Sequence, residues 1–500
     1  MRGTGAASLR AAAARWRRLL SLTIASAACS DGSPTGNQAN ATGFAIVSGP
    51  SRTDTAVAFS APFVLELRDE NRAVQQGATV VIRSLMRGAV RTMYLDSATT
   101  LFDSVTRTTD ERGRFSIAPR FGRLVGDAGL ILSAPTLSIV DTLDFTVKPG
   151  AAYRIAIVPH DTAVRLGREV KLSIAVTDRY GNARPEAPTI QAGAGIRVQP
   201  DGRVTGLAYG RSTLVVKSGV LSDTGSVTVV PPGRLTGMTG SSVFWAFVLN
   251  TDGSGADGFL RQIGWPGGSV RWSRDATRVL LSSGFTWTGS YRLYEVTVSD
   301  RSERLVWSPP QGTQQGWPSY SPDGEWIYFV YIVGRWDYAE GGTGAIWRVR
   351  RDGSLAQEVV PAPSGGGWLS PSLSPDGSSL AYVGTDGTLF IRTLANGTTR
   401  TISGLSASSV VWSPNADRLL VAGRAGLFVV GADGSGRRQL RPGIVWGRDA
   451  AWSPDGDWVV WNSGGGIELV RLEPELALTL PFSYGSVVNG GWGFAWASQP

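Results

Sequence analysis

The stretch Tyr320-Ser321-Pro322-Asp323-Gly324, followed by Trp326-Ile327-Tyr328-Phe329-Val330, decides the predicted fold of this chain. Proline presets φ for a tight turn, aspartate bonds locally, and glycine adopts a positive φ, so the first five residues predict a hairpin turn. The next five are apolar and aromatic residues that favour a strand. The stretch therefore predicts two antiparallel strands joined by a turn.

This turn motif recurs along the second half of the chain. The other copies are Trp272–Ala276, Leu373–Gly377, Trp412–Ala416 and Trp452–Gly456, with a degraded copy at Trp496-Ala497. The motif serines, with Ala497 last, are 48, 53, 39, 40 and 44 residues apart. A period of roughly 40 to 50 residues in β-rich sequence predicts the four-stranded blades of a propeller. Glycine is missing from the copies at 273 and 413, so looser turns are expected there.

Six blades are predicted between residues 233 and 500. Five begin at the five recognisable motif copies, and the sixth combines strands near the start of the region with Gly493–Ala497 at its end. A blade shared by both ends of the region closes the ring and removes exposed sheet edges.

Residues 44–149 and 150–232 each predict a β-sandwich. Short alternating segments such as Phe63–Leu67, Ala78–Ile82 and Val170–Val176 recur about every ten residues without helical periodicity. The complete prediction is an all-β chain of two Ig-like β-sandwiches followed by a six-bladed β-propeller.

Two regions resemble known families. Val176–Asn182, Val198–Leu207 and Gly210–Leu214 resemble the bacterial Ig-like (group 2-like) domains of surface proteins. The repeats at 233–500 are similar to the WD40-like repeats of TolB-type propellers. That resemblance implies a periplasmic protein with roles in envelope assembly and partner binding.

The N-terminus predicts export. Residues 1–18 carry arginines without acids, and the ten residues Leu19–Ala28 are apolar. Ten residues are too few to span a bilayer, so residues 1–28 are predicted to be a signal peptide. Ser26-Ala27-Ala28 before Cys29 resembles a lipobox, which implies a lipid on Cys29 and anchoring in the outer membrane. The alternative is ordinary cleavage after Ala27, which leaves a free thiol. Residues 29–43 are predicted to be a flexible tether.

Composition excludes several functions. The net charge is +8, but the five arginines of residues 1–28 account for much of it and leave 8 − 5 = +3 for the rest, so no nucleic-acid partner is expected. One cysteine and one histidine, His160, exclude Cys-rich zinc sites and His-cluster metal sites. We expect no metal, no cofactor and no catalytic residue.

Tryptophans are the candidate ligand-binding residues, because 17 of the 18 lie after residue 233. One set falls in or near the links from an outer strand to the next inner strand, and a second falls between second and third strands. The candidates are Trp265, Trp317, Trp368, Trp446 and Trp492 in the first set, with Trp287, Trp336 and Tyr338 in the second. Rings in such links suit a peptide or a glycan. The alternative is that they pack between blades.

The sequence thus predicts a non-enzymatic cell-envelope lipoprotein whose propeller binds an envelope protein, a peptide or a glycan. The Ig-like domains would form a stalk, and an N-terminal lipid would hold the protein at the membrane. Two alternatives stay open: a propeller-based glycan hydrolase or lyase, and a purely structural surface protein.

Overall fold

The structure is a computed structural model that describes residues 42–498. It excludes residues 59, 88–89, 92, 98–99, 103, 240–243, 256–258, 264, 267–269, 286–289, 311, 335–342, 365–366, 444–449, 463–465 and 482–491. The predicted signal peptide, Cys29 and nearly all of the predicted tether lie outside these residues. No helix among the described residues has the length and apolar character that a membrane crossing needs.

The prediction of an all-β fold is confirmed for the described residues, whose elements are strands apart from one short 3-10 turn at Pro135–Leu137. The chain divides into two compact units, residues 1–148 and 149–500.

The N-terminal unit is built on alternating strands. Phe63, Leu65 and Leu67 point to one side of their strand and are buried together with Leu130 and Leu132. Its sheets have the strand orders β1-β3-β10, β11-β7-β8 and β2-β13-β12-β4-β9, beside the hairpin β5-β6. These strands are β1 Gly43–Ser48, β2 Thr53–Thr55, β3 Phe63–Arg68, β4 Thr79–Ser84, β5 Met86–Arg87, β6 Val90–Arg91, β7 Met93–Ser97, β8 Thr100–Phe102, β9 Ser104–Thr108, β10 Arg114–Ile117, β11 Pro119–Phe121, β12 Gly126–Ala134 and β13 Ile139–Lys148.

The C-terminal unit begins with three small sheets, here called the adjoining sheets. Their strand orders are β14-β17, β15-β22-β21-β18 and β16-β20-β19, and they share a core of Val, Leu and Ile side chains. The strands are β14 Ala152–Val158, β15 Asp161–Arg165, β16 Glu169–Lys171, β17 Ser173–Asp178, β18 Thr189–Ala192, β19 Ile196–Val198, β20 Arg203–Gly206, β21 Gly210–Ser218 and β22 Leu221–Val230.

Six antiparallel sheets follow among the described residues, here called sheets 1 to 6. Sheet 1 contains β23 Arg234–Thr239, β24 Phe244–Asn250, β25 Phe259–Ile263 and the last strand, β47 Trp492–Ala497. Sheet 2 contains β26 Trp265–Pro266, β27 Arg271–Trp272, β28 Arg278–Phe285, β29 Ser290–Thr297 and β30 Glu303–Trp307. Sheet 3 contains β31 Thr313–Tyr320, β32 Trp326–Val333, β33 Thr343–Arg350 and β34 Gln357–Val360.

The remaining three sheets repeat this order of four consecutive strands. Sheet 4 contains β35 Trp368–Leu373, β36 Ser379–Gly384, β37 Leu389–Thr393 and β38 Thr399–Ile402. Sheet 5 contains β39 Ala407–Trp412, β40 Arg418–Gly423, β41 Gly426–Gly431 and β42 Arg438–Pro442. Sheet 6 contains β43 Ala450–Trp452, β44 Trp458–Asn462, β45 Ile467–Arg471 and β46 Leu476–Thr479.

The six sheets close into a ring. The last strand, β47, pairs with β23 in the register Leu235 to Trp496, so sheet 1 is built from both ends of this region. The innermost strands of neighbouring sheets contact one another. Strand β47 of sheet 1 contacts β27 of sheet 2 and β43 of sheet 6, and β31 of sheet 3 contacts β27 and β35. Strand β35 of sheet 4 contacts β39 of sheet 5, and β40 of sheet 5 contacts β43 of sheet 6. A closed ring of four-stranded antiparallel sheets is a β-propeller fold.

The turn motif is held by its serine and its acid. The buried Ser453 hydroxyl accepts a hydrogen bond from the backbone N–H of Trp458 at 2.9 Å and donates to Asp455. The same pattern of serine contacts recurs at Ser321 and Ser374. Each motif therefore satisfies its buried polar groups within the turn that joins the first and second strands.

The two copies without glycine keep this geometry. Ala276 has φ 56° and Ala416 has φ 60°, close to the φ of 73° at Gly377, and their N–H groups bond back to Ser273 and Ser413. In the second copy Asn415 replaces the acid, and Ser413 donates instead to Asp417 at 2.8 Å. The expectation of looser turns is wrong, because the serine hydrogen bonds hold alanine in a left-handed conformation.

The adjoining sheets pack against one end of the ring. Arg165 bonds Asp252 at 2.8 Å, in the turn between the third and fourth strands of sheet 1. The Tyr209 ring meets the Trp458 ring edge to face at 5.1 Å, directly after the motif of sheet 6. Antiparallel pairing places the motif turns and the third-to-fourth turns at one end of each sheet, here called the turn end. The opposite end, which carries the remaining connections, is called the link end.

We expect Ala416→Gly to raise the free energy of unfolding by about 0.5 kcal/mol. Glycine removes the steric cost of a left-handed backbone at an L-residue, which is roughly 1–2 kcal/mol. It also adds conformational entropy to the unfolded state, which lowers stability by roughly 0.4–1 kcal/mol, so the first effect is the larger. The control is Ala395→Gly, at an exposed turn residue without a positive φ, which should lower stability. Urea unfolding measures both, and a lower midpoint for Ala416→Gly would contradict the strain argument.

Candidate binding site between two sheets of the ring

The structure describes part of the predicted tryptophan set. Trp317 and Trp368 have described side chains, and Trp265 and Trp492 lie in strands β26 and β47 without described side chains. The other four candidates, Trp287, Trp336, Tyr338 and Trp446, lie outside the described residues. The predicted aromatic rim of the ring therefore stays a prediction.

Trp317 packs between sheets 3 and 4. Its side chain is 7% exposed and lies against Val330, Ile332 and Leu369. Its φ of 50° falls at an irregularity in the β31 to β32 pairing, which directs the ring into the interface. This placement fits the packing alternative.

Trp368 covers aromatic rings of its own sheet. It meets Tyr382 and Phe390 edge to face at 5.0 and 5.2 Å, and its indole N–H donates to the Pro361 carbonyl at 2.7 Å. It too fits the packing alternative, although its ring is only half-buried.

Sheets 2 and 3 enclose an aromatic cluster, defined as Trp307, Phe329, Tyr331 and Trp347. The Tyr331 and Trp347 rings lie 4.7 Å apart, and Trp307 stacks on Trp347 at 6.4 Å with an interplanar angle of 21°. Trp307, Tyr331 and Trp347 are each half-buried. The segments that join β28 to β29 and β32 to β33 contain Trp287 and Trp336, so the cluster lies on the two sheets that carry those candidates.

Two polar groups in or beside this cluster have unmet hydrogen-bonding capacity. Gln315 is the cross-strand partner of Tyr331 and is 1% exposed, yet neither polar atom of its carboxamide has a hydrogen-bond partner among the described residues. The buried indole N–H of Trp347, a member of the cluster, likewise finds no acceptor in the part of the chain that the structure describes. Such groups cost roughly 1–3 kcal/mol each, and each one calls for an explanation.

The same interface holds an acidic side chain among arginines near the turn end. Glu295 is 3% exposed and accepts hydrogen bonds from Tyr320 Oη at 2.8 Å and from Arg351 at 2.8 and 3.0 Å. Arg304 donates at 3.1 Å, and Arg278 lies 3.7 Å away. These five residues are called the Glu295 cluster. Because they come from both sheets, the cluster fixes sheet 3 against sheet 2.

The contacts decide the protonation of this cluster. Burial alone would raise the pKa of Glu295, but the hydrogen bonds from Arg351, Tyr320 and Arg304 outweigh it and hold the pKa at about 2. Burial, and then the Glu295 charge, raise the pKa of Tyr320 well above its ordinary value. At neutral pH the cluster is an ionised acid with a neutral phenol, so neither group is poised to exchange a proton.

Hydrogen bonds within the turn motif likewise keep two of its aspartates ionised. The Ser273 hydroxyl, 2.6 Å from Asp275, is the main cause that holds the pKa of Asp275 at about 2, and Ser374 does the same for Asp376. Within the part of the chain that the structure describes, no group of three or more His, Cys, Asp or Glu side chains could hold a metal ion. What the interface offers chemically is aromatic surface with hydrogen-bonding groups, suited to binding.

Sequence reasoning did not find Gln315 or Glu295. The sequence could have indicated Glu295, because it lies on the same strand face as Leu293 two residues earlier, where an apolar residue is expected. No sequence pattern indicates Gln315, since it lies six residues before a motif serine in a segment without a repeat pattern.

The ring and its interface define an all-β protein with a β-propeller fold. No family model matches the chain. An uncharacterised protein of Agrobacterium fabrum is 31% identical over 123 residues, which cover 24% of this chain and 36% of that protein. The chain therefore spans about a third of the length of this curated relative.

Solved structures with propeller folds are also similar. TolB from Acinetobacter baumannii is 14% identical, covering 63% of this chain and 83% of that one, with a TM-score of 0.43. An oligogalacturonate lyase from Vibrio parahaemolyticus is 12% identical, covering 50% and 79%, with a TM-score of 0.32. A puromycin-hydrolyzing peptidase of Mycobacterium tuberculosis is 20% identical, covering 50% and 47%, with a TM-score of 0.35.

We expect Glu295→Gln to lower the free energy of unfolding by about 3 kcal/mol at pH 7, because it leaves arginines without their buried acid. The folded pKa is about 2 against an ordinary value of 4.5. The stabilisation is therefore complete above about pH 4.5 and is lost as the pH falls through about 2. Denaturant unfolding of both proteins between pH 7 and pH 2 should show that the difference in their free energies of unfolding decreases as the pH falls. The control is exposed Glu325→Gln, and a difference independent of pH would contradict the assignment.

Proposed function

We propose that this chain is an exported cell-envelope protein whose six-bladed propeller binds an extended peptide segment of a partner protein. The binding region is the link end of sheets 2 and 3. The two N-terminal β-regions are Ig-like sandwiches, and a lipid on Cys29 anchors the chain to the membrane. The carrying observation is the unpartnered carboxamide of Gln315 beside the aromatic cluster.

The packing of the adjoining sheets supports this choice of face. Arg165, Tyr209 and their partners Asp252 and Trp458 occupy the turn end at sheets 1 and 6. Arg471 also lies over the Tyr209 ring, at 5.6 Å. Among the described residues these contacts of the adjoining sheets lie at the turn end, which favours the link end as the face for a ligand.

The chemistry of the region favours a peptide. A carboxamide has one acceptor and a donor side by side, which matches the N–H and C=O of a peptide unit. The half-buried rings of Trp307, Tyr331 and Trp347 supply apolar contact area at low entropic cost. A glycan could use the same rings, so it is the competing ligand in the test. A hydrolase or lyase would need acids free to exchange protons, whereas Glu295 and the motif acids Asp275 and Asp376 are held ionised.

The test compares the unchanged protein with Gln315→Met on an array of immobilised twelve-residue peptides and on a glycan array. We expect the unchanged protein to bind a subset of peptides, and the variant to bind them at least tenfold more weakly. The variant should melt at an equal or higher temperature, because it removes an unsatisfied buried amide.

The matched control is Gln262→Met, at an exposed glutamine of sheet 1, which should bind as the unchanged protein does. Equal peptide binding by Gln315→Met would reject the assigned region. Binding to glycans alone would replace the peptide by a glycan as the ligand.

A further inference from the structure

Arg271 occupies a position that holds no other charged residue in the ring. It lies on β27, two residues before the motif serine, and pairs with Leu280. The equivalent residues of sheets 3 to 6 and sheet 1 are small or apolar: Ser319, Ser372, Val411, Ala451 and Ala495. The cross-strand pairing supports this equivalence. Arg271 pairs with Leu280 on the second strand of sheet 2, and Ser372 pairs in the same way with Ala381 on the second strand of sheet 4.

This position lies where the innermost strands meet. β27 contacts β47 and β31, the first strands of the two neighbouring sheets. In sheet 4 the Ser372 hydroxyl accepts a hydrogen bond from the Trp412 N–H of the next sheet at 3.2 Å, so side chains here point towards the next inner strand. Arg271 therefore points along the inner rim of the ring, from sheet 2 towards sheet 3.

The guanidinium has no acid to balance it. Its one hydrogen bond is from Nη1 to the Val270 carbonyl at 2.9 Å, and no carboxylate lies within 4 Å among the residues that the structure describes. The nearby acid of sheet 2, Glu295, is already bound by Arg351 and Arg304. Among the described residues, the Nε and Nη2 edge of Arg271 has no acceptor, and the side chain remains partly exposed.

The surroundings make this charge unfavourable by itself. Partial burial lowers the pKa of Arg271 to about 10, because loss of hydration disfavours the charged form. An arginine edge with two parallel N–H donors pairs with the two oxygens of a carboxylate, and such a pair is strongest where water is scarce.

We propose that Arg271 is the anchor of a carboxylate-binding site at the inner rim of the ring, between β27 and β31. The site binds a single carboxylate through the free edge of the guanidinium. The carboxylate belongs to a small organic acid or to an acidic side chain of a polypeptide that enters the ring.

The test measures the melting temperature of the full chain at constant ionic strength, with chloride replaced stepwise by acetate. A second arm adds a hexaglutamate peptide, with hexaglutamine as its neutral counterpart. The variants are Arg271→Ala and Arg271→Ser, which install residues that the other sheets already carry at this position. The control is Arg292→Ala, at an exposed arginine of β29 that changes the net charge equally.

In chloride, we expect both Arg271 variants to melt about 1–3 °C above the unchanged protein, because an unpaired enclosed charge is removed. Carboxylate should raise the melting temperatures of the unchanged protein and of Arg292→Ala, and the melting temperatures of the Arg271 variants should stay the same. A response to hexaglutamate at least tenfold below the acetate concentration assigns the site to a polypeptide, and a response to acetate alone assigns it to a small acid. An equal carboxylate response in Arg271→Ala, or no response in the unchanged protein, would overturn the proposal.

Discussion

The pairing of the last strand with the first strand of the ring is the constraint on which the C-terminal unit depends. β47 supplies the innermost strand of sheet 1, and without it β23 would present an open edge to the centre of the ring. Buried Trp496 and Phe494 pack against Leu235, Phe247 and Leu478, so the closing strand also joins the cores of sheets 1 and 6. One strand thus supplies both the backbone bonds and the apolar contacts that close the circle.

The sheets of the ring are not equivalent once closed. The motif serine accepts the same backbone hydrogen bond in all five copies, although Ser413 donates to Asp417 where the other serines donate to the motif aspartate. Neighbouring motif turns also touch, since Arg274 donates to the Pro322 carbonyl at 3.2 Å. Departures from the repeat concentrate between sheets 2 and 3, which hold the Glu295 cluster, the aromatic cluster and Gln315, with Arg271 at the inner rim. A repeated scaffold supplies stability, and the proposed binding region lies at the interface where residues depart from the repeat.

The all-β fold, the motif turns and the strand shared by both ends could be predicted from the sequence, because turn residues and alternation act locally and the repeat shows their period. The site could not be predicted to the same extent. Trp317 and Trp368 have the residue type of a binding surface, but a bulge at Trp317 and a hydrogen bond from Trp368 to Pro361 give them placements that fit the packing alternative. Whether the Gln315 carboxamide finds a partner depends on a neighbouring sheet, and no local pattern reports that.

Amide hydrogen exchange of the segment Trp492–Ala497 tests ring closure most directly. The account predicts that these amides exchange as slowly as those of Ala407–Trp412, an innermost strand formed by consecutive chain, since both open only when the ring unfolds. Exchange of 492–497 at the rate of an unpaired coil, with 407–412 still protected, would show an open array and contradict the closed ring.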